Sequence, residues 1–74
     1  MEENTKTAAE CQEQGTAHSE AGNYEAAEEA YAGAIELEPE WAEPWHSLGG
    51  LYLAQEKYEE AIEAYEQATA LDEE

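Results

Sequence analysis

The chain has 74 residues, of which 20 are Asp or Glu and only 2 are Lys or Arg, giving a formal net charge of -18. That balance excludes a grip on nucleic-acid phosphates and adhesion to an anionic membrane, both of which need positive charge. Fifteen of the apolar residues are Ala, seven are Leu or Ile, and Val and Phe are absent, so two Trp and five Tyr must supply much of the core.

The first element predicted in chain order is a helix beginning after Thr7, which with Glu10 has the spacing of a capping box. Cys11, Gln14, Gly15 and His18 share one face of it. Gly22-Asn23 marks a turn, with Asn23 placed to cap a second helix whose apolar stripe is Tyr24, Ala27, Tyr31 and Ala34. Glu38-Pro39-Glu40 closes that helix. A third is expected from about Ala42, with Pro44 in its first turn, where a missing amide hydrogen costs little, and with Trp45, Leu48, Gly49 and Tyr52 on one face. The fourth carries Tyr58, Ala61, Tyr65 and Ala68, and Ile35, Leu37, Ile62 and Leu71 fill in beside the two Tyr/Ala stripes. No window shows the alternation of a strand.

Sliding the sequence by 34 positions lays residues 7–40 over 41–74 without a gap, and eleven pairs are identical. The Gly15/Gly49, Tyr24/Tyr58, Tyr31/Tyr65 and Leu37/Leu71 matches carry most weight, because those types are scarce here. The chain therefore divides into a frayed lead-in at 1–6, a first repeat at 7–40 and a second at 41–74. Gly15 and Gly49 each sit inside a helix at a penalty of about 1 kcal/mol relative to Ala, which points to a close approach by the partner helix. The rings of Tyr24, Tyr31, Tyr58 and Tyr65 are expected to wedge against these small residues.

The second unit, Trp45-x-x-Leu48-Gly49-x-x-Tyr52 followed by Ala61-x-x-x-Tyr65 and Ala68, resembles the tetratricopeptide repeat. The first keeps Gly15, Ala27, Tyr31, Ala34 and Pro39 but has Cys11, Gln14 and His18 where Trp, Leu and Tyr are expected, so it resembles a degenerate or edge repeat. Glu73 stands where the family often has Pro. The resemblance implies an all-α fold of two stacked antiparallel helix-turn-helix hairpins, four helices in a right-handed solenoid. It further implies a noncatalytic module that binds a peptide or a partner protein's helix in a concave groove. By repeat position that groove is lined by Ala9, Gln12, Thr16, Ser19 and Glu20 from the first unit and by Glu43, His46, Gly50 and Leu53 from the second. The Lys, Arg and Asn with which one variety of the family holds a C-terminal carboxylate are replaced here by Gln12, Thr16, His46 and Gly50, so that use is not expected.

The acidic surface has two readings: a field that captures basic partners, or a solvated face that keeps the repeat soluble. Glu59, Glu60, Glu63 and Glu66 favour the second. Trp41 lies outside both stripes and packs across the seam between repeats, serves as an aromatic anchor for a partner, or is incidentally exposed. An enzyme is not expected. The one nucleophile-base pair, Cys11 and His18, is separated by two helical turns, about 10 Å of rise. Cys11, His18 and His46 with Glu20 or Glu43 make only a borderline zinc set, so no metal and no cofactor are expected. A single Cys and the lack of a long apolar run suggest the cytoplasm. The alternative function is a structural or self-assembly unit, a homo-oligomer formed through uncovered terminal helix faces, as in a fragment of a longer array or an engineered repeat.

Overall fold

The computed structural model describes residues 7–72, which form four helices and no strand. Helix α1 spans Ala8–Glu20, α2 Tyr24–Leu37, α3 Ala42–Ala54 and α4 Tyr58–Asp72. The expected lead-in at 1–6 and Glu73 lie outside the described residues. Thr7 caps α1 as its spacing predicts: its hydroxyl accepts from the Glu10 amide at 3.1 Å, and Glu10 accepts from the Thr7 amide at 3.2 Å. Asn23 does not act through its side chain. It precedes α2, but its side chain makes no capping hydrogen bond, while its backbone amide closes the turn before it.

That closure is a Schellman turn, and it occurs twice. After α1, the Asn23 amide donates to the His18 carbonyl and the Gly22 amide to that of Ser19. After α3, Lys57 donates to Tyr52 and Glu56 to Leu53 in the same pattern. The motif needs one left-handed residue. Gly22 supplies it at φ 84°, whereas Glu56 occupies it at φ 63° with a side chain that disfavours that region. Glu56→Gly is therefore expected to stabilise the chain by about 0.5–1 kcal/mol after allowing for the added freedom of Gly in the unfolded state. A thermal melt checks this, with an expected rise of about 2–8 °C; a lower melting temperature would refute it.

The turns fold α1 back on α2 and α3 back on α4, and the second hairpin stacks on the first mainly through α2 and α3. In each hairpin one glycine is a contact point between the two helices. A methyl group on Gly15 would lie 2.5 Å from the Tyr31 ring, and one on Gly49 would lie 2.6 Å from the Tyr65 ring. Ala27, Ala34, Ala61 and Ala68 are all buried, as their stripes predict.

Other rings and aliphatic groups depart from expectation. Tyr58 is 59 % exposed, Ile62 57 % and Leu37 50 %. Tyr24, the counterpart of Tyr58, packs on the main cluster, which joins Ala27 and Tyr31 of α2 to Leu48 and Leu51 of α3 and Ala64 of α4. Tyr58 and Ile62 have no further helix to meet among the described residues. Conversely, Pro44 and Leu51 are buried although neither belongs to the predicted α3 stripe. Helix α3 lies between α2 and α4 and so buries two faces, whereas one stripe describes one.

Candidate functional site

Helices α1 and α3 lie side by side and are joined by a hydrogen bond from Gln12 Nε2 to Ser47 Oγ at 2.7 Å. Gln12 is a structural strut: it is buried, and its side-chain oxygen has no hydrogen-bond partner among the described residues. Thr16 is exposed yet similarly engaged. Its hydroxyl donates to the Gln12 carbonyl at 3.2 Å, which leaves it to accept from the Tyr31 hydroxyl at 3.1 Å. Ser19 is half-buried, while Ala9 and Glu20 are exposed.

Glu43, His46, Gly50 and Leu53 are all exposed on α3. Their spacing places them along one face of that helix. Leu53 is 46 % exposed, an apolar group on a strongly acidic molecule. Between it and His46, the missing side chain of Gly50 leaves a notch, and a methyl group there would come 3.7 Å from the Tyr65 hydroxyl. His46 meets the same ring edge-on, with centroids 5.3 Å apart. This notch, with an imidazole at one end and a leucine at the other, was not legible in the sequence, because Tyr65 reaches it from α4.

Trp41 is half-buried and packs on Ala8, Cys11 and Ala34, across the seam between the two hairpins. It also lines two neighbouring surface depressions. One includes Ala9, Glu38 and Glu40; the other includes Glu40, Glu43, His46, Leu71 and Asp72. The nominated residues thus fall into two groups. Trp41, Glu43 and His46 meet in one depression near the start of α3, while Leu53 stands toward the other end of that helix.

The seam also holds a half-buried polar contact between α2 and α3. Tyr52 Oη donates to Glu28 Oε2 at 2.7 Å. The Tyr52 phenol is pushed up from 10.0 to about 12 by its removal from water, then by the hydrogen bond to Glu28 and the negative charges of Glu28 and Glu60. Because the folded value lies above the unfolded one, this group's contribution to stability is complete below about pH 10 and is lost as pH rises toward 12. A tyrosinate absorbance titration is expected to show a late fraction that Tyr52→Phe removes. Superimposable normalised curves would mean that the seam contact is not made in solution.

Cys11 is a free, buried thiol. Among the described residues no three His, Cys, Asp or Glu side chains gather as a metal site, and no helix is long and apolar enough to cross a membrane.

The tetratricopeptide repeat family model matches residues 13–74. The chain belongs to the tetratricopeptide repeat family. No curated protein sequence matches it. The match opens within α1 and leaves out Cys11, one of the positions where the first tetratricopeptide repeat departs from the pattern. Tetratricopeptide repeats are generally protein-protein interaction modules and typically noncatalytic.

Proposed function

We propose that this chain is a noncatalytic interaction module that takes a basic peptide or helix along the α1/α3 face, with α3 supplying the principal contacts. The observation that carries this reading is the exposed α3 stripe, in which the Gly50 notch separates His46 from a half-exposed Leu53. A partner's apolar side chain laid against Leu53 would lose water from both surfaces. The notch would admit a small group or backbone to the Tyr65 hydroxyl. At the start of α3, the ring of Trp41 beside Glu40 and Glu43 suits a Lys or Arg side chain, which carboxylates and an aromatic face both attract.

The acidic field then speeds encounter and selects against acidic partners. A peptide library screened on the intact chain is expected to return basic sequences whose affinity falls with added salt. Leu53→Glu is expected to weaken the best of them by about tenfold or more, equivalent to about 1.4 kcal/mol, with the melt unchanged because the site is exposed. Equal binding by the variant, or selection of acidic peptides, would refute the reading.

A further inference from the structure

We propose that the outer face of α4 is a second docking surface, a seat for a cationic amphipathic helix supplied by another protein. The molecule already contains one filled example of such a seat. On α2, Tyr24, Ala27, Tyr31 and Ile35 receive α3, which meets them with Trp45, Leu48, Leu51 and Tyr52 in one cluster. Moving 34 positions along the chain converts that face into Tyr58, Ala61, Tyr65 and Thr69 on α4. Tyr31 is 3 % exposed beneath α3, whereas Tyr65 is only half-buried, and Ile62 with Tyr65 and Thr69 borders an open depression.

The differences between the two faces specify the occupant. Where α2 has Glu28, whose carboxylate accepts from Tyr52, α4 has Ile62. A helix seated there must replace the phenol of Tyr52 by an aliphatic group, since a hydroxyl against Ile62 would lose its acceptor. Glu66 borders the depression, and Glu59 lies along the same edge of α4, so the occupant's flank should carry Lys or Arg. A second copy is disfavoured by the same charge, because it brings 20 acidic groups and only two basic ones.

The test uses an acetylated, amidated, fluorescently labelled peptide repeating residues 42–54 with Ala42→Lys, Glu43→Gln, Gly49→Lys, Gly50→Ala and Tyr52→Leu, which places both lysines on the flank of the Trp45/Leu48 face. Anisotropy with the intact chain is expected to show saturable binding, with amide shifts centred on Ile62, Tyr65 and Thr69. Ile62→Glu is expected to weaken it at least tenfold, as is a peptide with Glu at both lysine positions, whereas Leu53→Glu should leave it unchanged. Leu53→Glu thus separates this seat from the α3 stripe. Both Ile62 and Thr69 are exposed, so Thr69→Glu serves as a second variant should Ile62→Glu fail to melt cooperatively. Shifts confined to α1 and α3, binding indifferent to both α4 variants, or concentration-dependent dimerisation of the chain abolished by Ile62→Glu would overturn the proposal.

Discussion

Tyr31→Ala is expected to abolish the cooperative melt. The ring is 3 % exposed, fills the space beside Gly15, joins the cluster shared by α2, α3 and α4, and donates its hydroxyl to Thr16. Truncating a buried aromatic residue to Ala costs about 3–5 kcal/mol. A chain of this length has roughly 4–11 kcal/mol in total at ordinary stability per residue, and an Ala-rich core places it toward the lower end. Tyr65→Ala removes the equivalent ring from a half-buried site and should lose less, with a depressed but still cooperative transition. Circular dichroism against temperature and denaturant checks the pair. Equal losses would mean that the stacking of α3 on α2 adds nothing to the burial of Tyr31. Tyr31→Phe isolates the hydroxyl, at about 0.5–1.5 kcal/mol.

Gly15→Ala should destabilise the chain even though Ala is the better helix former. The gain in helix propensity is about 1 kcal/mol. Against it stands a methyl group 2.5 Å from the Tyr31 ring, which is enclosed on all sides and cannot swing away. Overpacking of this kind costs about 1–3 kcal/mol, and the enclosed ring places Gly15 toward the upper end, so a net loss of up to about 2 kcal/mol follows. Gly49→Ala presents the same collision with Tyr65, but that ring is half-buried and has room to move outward, so the two terms should nearly cancel. Urea titration of both variants decides the matter; the argument fails if Gly15→Ala is the more stable protein.

These two glycines also show what the sequence discloses. Their recurrence 34 residues apart, opposite Tyr at a fixed offset, identifies both the repeat and the close helix contact. Thr7 with Glu10, Gly22 with Asn23, and Pro39 set the element boundaries by local chemistry alone. What stays hidden is which sides of a helix meet neighbours distant in the chain. Gln12 looks like a groove residue by position, but α3 lies against it, and the Ser47 hydroxyl takes up its amide. Tyr58 matches Tyr24 in type, yet the two differ in exposure because a helix covers one and not the other. Glu56 occupies the left-handed position that Gly22 fills in the first turn, and its residue type alone gives no sign of it. Among the nominated residues, the shared exposed face of the α3 set was legible from its periodic spacing, and the approach of Tyr65 to it was not.

The two Schellman turns bear on how quickly the molecule assembles. Each brings a helix against its main partner across a reversal of three residues, Ala21 to Asn23 and Gln55 to Lys57, so little chain entropy is lost in forming either pair. Contacts this local in sequence place folding in the microsecond to millisecond range. The first pair can form once residue 37 has left the ribosome, before Trp45 and Leu48 have emerged to cover Tyr31. Nascent chains would then pass through an interval in which that ring is bare, and the surrounding carboxylates are what would keep such chains apart.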